Sequence, residues 1–437
     1  MSNDTPQSRD NSADAPITPD ASHRAMRDAV LAQCVGHALM FTLTSGGLAT
    51  LYAERLGARD LMVGVLNGVL WGGAVIGLWT PALTERYNKR RVLIVAQIAS
   101  VLAALPLLTV PIVAQHASNH AALAVMILSL LAFGLAIGVF ASTWFPALMD
   151  FVPPAQVGRF FGRLRSTWQV VVLGIYLACA AALGPETPLW RMQLILAVLI
   201  TGAALRTLLV ARFPQRPIGR TTSGVMARVR MVAGDRAFRR YLVLHALATA
   251  LAAALTPSMV LYMRLSGFSP RAIMLAVAAG MLATAIGFHL WGRTADRHGA
   301  GWNYRIGFAM LAAGFLLWAP ASIAVWGAKS PSVGYAFIVA SFVINGAGFA
   351  SVSIGLTHHG FRLTPRESST TYLAVLPVAN QGGMGVGMIV IGIVLQAAHA
   401  SQVTHWCNAY FVAFMIASVA SLGMLRLIRW VPGSDEP

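Results

Sequence analysis

The chain has 437 residues, of which 57% are hydrophobic and only 11% charged, and its mean hydropathy is +0.66. This composition excludes a water-soluble globular protein, because soluble domains carry about 25% charged residues. The formal net charge of +17 does not indicate nucleic-acid binding, since the basic residues lie in short segments between apolar runs and form no continuous patch. The sequence therefore predicts a protein that spans a lipid bilayer and binds no nucleic acid.

Twelve apolar runs follow one another along the chain, each long enough for a helix that crosses a hydrocarbon core of about 30 Å. The alternation of period two that is typical of membrane β-barrels is absent. The predicted fold class is therefore an all-α integral membrane protein with twelve transmembrane helices. The runs lie at about residues 29–51, 61–83, 92–114, 121–147, 167–184, 193–211, 241–263, 272–291, 306–326, 334–358, 371–398 and 407–428.

These runs predict five segments of the chain. Residues 1–28 have no apolar run and are predicted to be a disordered cytosolic tail. Two blocks of six helices, 29–211 and 241–428, flank a basic cytosolic linker at 212–240, and 429–437 form a second cytosolic tail. The linker has two interpretations: an interfacial helix that binds anionic lipids, or a loop whose arginines only fix the topology.

The distribution of lysine and arginine predicts the orientation. With the N-terminus in the cytosol, most basic residues fall on the cytosolic side, as the positive-inside rule requires. The opposite face then holds only Arg55, Arg59, Arg191, Arg264, Arg271 and Lys329. We therefore predict a multi-pass protein of the cell inner (plasma) membrane, a monomer with both termini in the cytosol.

Catalysis and metal binding have no sequence support. The three cysteines form no CxxC motif, and no apolar run carries an HExxH motif, paired carboxylates or a nucleophile beside a base. We predict no catalytic residue, no metal site, no cofactor and no enzyme activity. Coupling to a proton or ion gradient is left open.

The second half of the chain repeats the first at a shift of 210 to 211 residues. Two blocks that repeat in the same direction are related by a pseudo-two-fold axis along the membrane normal. The matched pairs are Tyr52 with Tyr262, Gly57 with Gly267, Glu85 with Asp296, Arg86 with Arg297, and Pro154 with Pro365.

A charged turn occurs in both halves. The segment Trp291–Gly299, "WGRTADRHG", resembles the G-x-x-x-D-R-x-G turn that the major facilitator superfamily carries between its second and third helices and again between its eighth and ninth. The N-terminal copy, "PALTERYNKRR", differs from that pattern at Pro81, Glu85 and Asn88. The resemblance covers all twelve runs and implies the two-half transporter fold of that superfamily.

The resemblance also implies a latch of charged residues at the cytosolic face. The acids would accept hydrogen bonds from helix N-termini, and the arginines would form ion pairs when the two halves close on that side. The alternative is that these charges only turn the chain and fix its topology. The candidate latch residues are Glu85, Arg86, Arg90, Asp150, Arg159, Asp296 and Arg297.

Polar residues inside the apolar runs predict a cavity between the halves, because such residues are costly in lipid. Runs three, six, nine and twelve are nearly pure in apolar residues, so we expect them to face lipid. We assign Arg206 to a helix end, extending to the cytosolic side, which leaves the lining uncharged and favours a neutral or amphiphilic small-molecule substrate. The candidate lining residues are Gln33, His37, Asn67, Trp71, Asn345, Asn380 and Gln381.

Each lining candidate has an alternative role in a hydrogen bond between helices, and His37 is either a proton carrier or a packing residue. The predicted function is a secondary transporter that works by alternating access. A proton-coupled drug or metabolite efflux pump of the same superfamily is an alternative, although Gly134 stands where those exporters carry an arginine. A second alternative is a receptor or sensor that does not transport.

Overall fold

The computed structural model describes residues 18–43, 47–153, 157–183, 188–214, 225–364, 369–400 and 406–432, and its regular elements are helices. Short 3-10 segments at Gly73–Trp79 and Leu105–Leu108 and a π segment at Ile323–Gly327 join some of them. The α-helices are α1 (Pro19–Leu43), α2 (Leu48–Arg55), α3 (Asp60–Gly72), α4 (Thr80–Tyr87), α5 (Lys89–Ala104), α6 (Val110–His116), α7 (Asn119–Leu148), α8 (Val157–Ala182), α9 (Leu189–Val210), α10 (Val225–Gly234), α11 (Arg236–Ala253), α12 (Thr256–Leu265), α13 (Pro270–Leu316, bent at Gly299), α14 (Trp318–Ser322), α15 (Pro331–Leu363), α16 (Ser369–Ala400) and α17 (Trp406–Ile428).

These helices form twelve spans that are long and apolar enough to cross a membrane, counted over the described residues, and they confirm the predicted number and order. The even number places both ends of the span region on one face, which we call the terminal face. The spans are Pro19–Arg55, Asp60–Tyr87, Lys89–His116, Asn119–Leu148, Arg163–Ala182, Leu189–Val210, Arg236–Leu265, Pro270–Ala295, Arg297–Gly327, Pro331–Gly360, Val375–Ala400 and Ala409–Ile428.

The first helix begins earlier than the sequence suggested. Residues 19–28 were predicted to be disordered, but they form the first turns of α1, while residues 1–17 lie outside the described part of the chain. Pro19 and Asp20 supply the residue types that favour a helix start. Ala25 is buried, and the Ser22 hydroxyl donates a hydrogen bond to the Phe151 carbonyl oxygen at 2.6 Å. Tertiary packing therefore orders a segment that composition alone marks as a tail.

The backbone repeats between the halves at the matched turns. Gly57 has φ 87° and Gly267 has φ 86°, the left-handed conformation that glycine adopts without steric cost. Asn88 lies 211 residues before Gly299, and these residues have φ 64° and 76°. Asn88 therefore adopts the conformation of the glycine it replaces, and its Oδ1 accepts a hydrogen bond from the Arg91 backbone N–H at 2.9 Å.

The outer surface of the bundle is apolar along the spans predicted to face lipid. Large side chains in the third, sixth, ninth and twelfth spans are more than half exposed, among them Val95, Leu208, Ile323 and Val419. Such a continuous apolar surface is what a bilayer covers. The sixth span is an exception on its other side, where it carries a buried arginine described below.

Candidate substrate site between the two halves

A cavity of about 380 Å³ lies between the two sets of six spans. Both halves contribute to its wall, and ten Phe and Trp side chains of the described residues line it. It extends close to the terminal face, since Phe145 lies near the end of the fourth span and Arg165 near the start of the fifth. Of the predicted lining residues, six lie in this wall: Gln33, His37, Trp71, Asn345, Asn380 and Gln381.

Arg206 is the most deeply buried charge in the cavity wall, with 2% of its surface exposed. Its Nη2 donates a hydrogen bond to Gln33 Oε1 at 3.1 Å. The guanidinium carbon lies 3.8 Å from the centre of the Phe140 ring and 4.9 Å from that of Trp144. These cation–π contacts hold a charge that has no ion-pair partner among the described residues.

The assignment of Arg206 to the cytosolic helix end was therefore wrong. The side chain turns inward because Gly36 leaves room for it: a Cβ at Gly36 would lie 2.0 Å from Arg206 Cδ. The aromatic faces of the fourth span then supply a better environment for the guanidinium than lipid does. The expectation of an uncharged cavity lining was therefore also wrong, since Arg206 lines the cavity.

A second arginine lines the same cavity. Arg165 is half-buried, and its guanidinium carbon lies 5.9 Å from the centre of the Phe288 ring in the opposite half. No Asp or Glu of the described residues lines the cavity. The cavity wall therefore carries positive charge that no acidic side chain of the described lining compensates.

The candidate His37 belongs to an aromatic group deeper in the cavity. Its ring centre lies 4.8 Å from that of Phe41 and 4.9 Å from that of Trp168, and the latter two lie 4.8 Å apart. This packing fits the interpretation of His37 as a packing residue that also borders the cavity. Nothing in these contacts gives the imidazole a carboxylate partner.

Four polar side chains of the wall have atoms without a hydrogen-bond partner among the described residues: Trp71 Nε1, Gln169 Oε1, Arg206 Nε and Asn345 Oδ1. Asn345 Nδ2 donates to Ser341 Oγ at 3.2 Å, but its Oδ1 accepts nothing. Trp71 is 5% exposed, and its Nε1–H donates to nothing. Buried polar atoms are rarely left in this state, so a ligand in the cavity has two acceptors and two donors among the described residues to meet.

Asn67 does not reach the cavity. It is 1% exposed, and its Nδ2 donates to Thr50 Oγ1 at 3.2 Å and to the Val63 carbonyl oxygen at 2.9 Å. The side chain thus joins the second span to the first. Its position four residues before Trp71 puts both on one helical face, but the Asn67 amide is directed to Thr50 of the first span.

On the face opposite the termini, an ion pair joins the two halves. Arg264 Nε lies 3.2 Å from Glu54 Oε2, and both side chains are about one-fifth exposed. These residues are 210 positions apart, so they occupy equivalent places in the two repeats. Two equivalent residues beside a pseudo-two-fold axis face each other, and only opposite charges make that meeting favourable.

Asp60 forms a second connection on the same face. Its carboxylate is 3% exposed, with Oδ2 2.5 Å from His399 Nδ1, and its Oδ1 accepts a hydrogen bond from the Tyr410 hydroxyl. Asp60 begins the second span, whereas its partners lie at the end of the eleventh span and the start of the twelfth. The two described partners of this buried carboxylate of the first half therefore both belong to the second half.

The second and eleventh spans touch along their backbones beside this carboxylate. A Cβ at Gly64 would lie 2.7 Å from the Met388 carbonyl oxygen, and a Cβ at Gly68 would lie 2.8 Å from the Gly385 carbonyl oxygen. Small residues permit such close helix contacts in membranes. The ion pair, the Asp60 cluster and this contact close the cavity on the face opposite the termini.

The predicted latch residues of the first half lie at the terminal face. Asp150 pairs with Lys89, whose Nζ lies 2.6 Å from Asp150 Oδ1, and Arg90 Nη1 donates to the Phe213 carbonyl oxygen at 3.1 Å. Glu85 is half-buried. These two contacts lie within one half, and the Asp150 partner described here is a lysine that the sequence did not single out.

The structure describes few contacts for the other latch candidates. Arg86 is exposed, with its guanidinium carbon 5.1 Å from the centre of the Tyr87 ring, and Arg297 is exposed. The side chains of Arg159 and Asp296 lie outside the described residues. The latch stays a prediction, because this structure has the opposite face closed.

The sequence and the fold give different results when compared with known proteins. No protein-family model and no curated protein matches the sequence. Among solved structures, the nucleoside transporter NupG gives a TM-score of 0.64 at 13% identity, over 94% of this chain and 99% of its own. A D-xylose–proton symporter gives 0.67 at 14% identity, over 93% and 97%. A human organic anion transporter gives 0.61 at 16% identity, over 94% and 100%.

These similarities concern the fold, because the sequence identities are too low to carry an activity across. They extend over nearly the whole of each chain. The protein thus has the fold of the major facilitator superfamily, with twelve helices in two halves, as its charged turns implied. It is a multi-pass membrane protein.

Proposed function

We propose that the protein is a secondary transporter that moves a small solute across the membrane by alternating access. The observation that carries the proposal is the closure of the central cavity on one face by contacts between the halves. Glu54 with Arg264, and Asp60 with His399, are such contacts. Because each can separate without breaking either half, the two halves can rock about the cavity and open the other way.

The charged turns at the terminal face belong to the same proposal. In the state with that face closed, Arg86 and Asp296 would meet partners in the other half, and the opposite-face contacts would be broken. We further propose that the protein is a monomer of the inner membrane with both termini in the cytosol. The basic segment between the halves, which includes α10, would then lie against anionic lipid.

Reversible cross-linking of the two halves on the face opposite the termini tests this function. Glu54→Cys and Arg264→Cys are combined in a chain whose three native cysteines are alanine, and a short bifunctional thiol reagent joins the pair in proteoliposomes. We expect at least one solute of a metabolite panel to enter about tenfold faster than into empty liposomes. Joining the two cysteines should abolish that entry, and a reductant should restore it.

Each single cysteine variant treated with the same reagent is the matched control and should keep its flux. If no solute of the panel enters faster than into empty liposomes, the transport proposal is wrong. If solutes enter equally fast with the pair joined, the protein transports without alternating access.

Exchange of the Glu54–Arg264 charges provides a prediction that needs no substrate. A reporter, Met259→Cys, lies in the cavity wall and is 4% exposed. Arg264→Glu places two carboxylates face to face, so labelling of the reporter by an impermeant maleimide from the opposite face should rise. Exposed ion pairs contribute about 0–1 kcal/mol. Because this pair is mostly buried and the variant replaces an attraction by a repulsion, we expect a rise of about fivefold or more.

The double exchange, Glu54→Arg with Arg264→Glu, restores the pair at two equivalent positions. Labelling of the reporter should then return to within about twofold of the parent rate. A double variant that labels as fast as Arg264→Glu alone would show that the pair does not hold this face closed.

A further inference from the structure

We propose that the cavity binds small organic anions with an aromatic or aliphatic body, an inference that rests on the proposed transport function. The described residues provide a positive charge without a counter-ion among them, a wall of aromatic rings, and amide groups on the facing half. A monocarboxylate with an apolar body complements all three features.

Arg206 carries a buried positive charge. Taking a guanidinium out of water is costly unless an anion or several good hydrogen bonds compensate. The partners of Arg206 among the described residues are neutral: the Gln33 amide oxygen and the rings of Phe140 and Trp144. Its Nε is buried and has no hydrogen-bond partner among the described residues. A carboxylate in the cavity supplies what this side chain lacks.

The described lining of the cavity is basic. Arg165 lines the same cavity, and none of the described lining residues is an Asp or Glu. Two arginines without a carboxylate repel cations and attract anions into a site of low dielectric constant. Arginine is also the side chain best suited to bind a carboxylate through two parallel hydrogen bonds. A neutral solute would leave this charge uncompensated.

The apolar wall defines the rest of the ligand. The rings of Phe41 and Trp168 lie 4.8 Å apart beside the cavity, and Phe315 and Phe342 line it from the other half. Such walls bury the body of a ligand, while a few polar groups fix its orientation. The unpaired Asn345 Oδ1 is placed to accept a hydrogen bond from a hydroxyl or amino group on that body.

Both arginines lie toward the terminal face, so the bound anion has a direction. Arg165 is two positions from the start of its span, and Arg206 is four from the end of its own. We therefore infer that the carboxylate lies near the terminal face and the body points toward Trp71. Rocking of the halves would then expose the ligand from its apolar end on the opposite face.

Matched ligands separate charge from shape. We would compare carboxylates, their amides and the corresponding amines on phenyl, indole and short alkyl bodies, by thermal shift of the purified full-length protein. At least one carboxylate should raise Tm, while its amide and amine should not. Arg206→Gln should weaken binding of that carboxylate about tenfold or more, since hydrogen bonds to charged groups contribute strongly.

Arg191→Gln is the control, because Arg191 lies at the other end of the same span and is exposed. It should keep the affinity of the parent. If Arg206→Gln does not fold, Arg165→Gln provides an independent test. This variant should also selectively weaken binding of the carboxylate. An adequate fold is shown by an unchanged unliganded Tm.

Three results would overturn the inference: amides or amines that stabilise as well as carboxylates, no carboxylate that shifts Tm, or arginine variants that bind carboxylates as the parent does. Flux measurements keep the two proposals apart. Carboxylates that bind but never cross the bilayer would refute transport and leave the anion site. Neutral solutes that cross while carboxylates do not would support transport and refute the anion site.

Discussion

Replacing Gly68 by alanine is expected to open the face opposite the termini. The added Cβ would lie 2.4 Å from Ile389 Cγ1 and 2.8 Å from the Gly385 carbonyl oxygen, and the second of these contacts cannot be relieved by a rotamer change. Overpacking of this kind costs about 1–3 kcal/mol. Because the clash exists only while the second and eleventh spans touch, labelling of the Met259→Cys reporter from the opposite face should rise roughly 5- to 150-fold.

Gly72→Ala makes the same chemical change one turn further along the second span. A Cβ at Gly72 meets no atom within 4 Å, so this variant should label at the parent rate. Both variants carry the same helix-propensity change, which removes that effect from the comparison. Equal labelling of the two variants would mean that the glycine contact does not govern closure of this face.

The number and order of the spans could be predicted from the sequence because lipid imposes a strict condition. A chain that crosses hydrocarbon must satisfy its backbone internally, and only long apolar helices meet that condition here. The repeat could also be predicted, since Gly57 and Gly267 supply the same left-handed turn in both halves. These features depend on residue type and spacing alone.

The cavity could be predicted only in part, because its lining depends on which way each side chain points. Arg206 lies four residues from a helix end, where a sequence permits either an outward or an inward arrangement. The small residue that allows the inward one, Gly36, is 170 positions away. Asn67 failed for the opposite reason: it shares a face with Trp71, but Thr50 intervenes and accepts its hydrogen bond.

The closed face was missed although the sequence held one signal for it. The same shift that aligns Gly57 with Gly267 aligns Glu54 with Arg264, and equivalent residues near a pseudo-two-fold axis meet each other. Opposite charges at equivalent positions therefore predict a contact between halves. Asp60 offered no such signal, because its partners His399 and Tyr410 do not occupy equivalent positions.

Asp60→Ala is the second variant with a large expected effect on the opposite face. It removes the oxygen that accepts the hydrogen bond of the Tyr410 hydroxyl, and it removes the carboxylate beside His399. It also removes a negative charge from the first turn of α3, where the helix dipole favours one. A hydrogen bond to a charged group contributes about 1.5–3 kcal/mol, so labelling of the Met259→Cys reporter should rise about tenfold or more.

The double variant Asp60→Ala with Tyr410→Phe decides whether this effect arises at the contact between halves. Tyr410→Phe removes the same hydrogen bond from its other end, so the two single effects should not add in the double variant. Additive effects would place the role of Asp60 in the start of its own helix. Tyr410 belongs to the other half. Non-additivity in reporter labelling therefore measures the coupling free energy between the two halves at this contact.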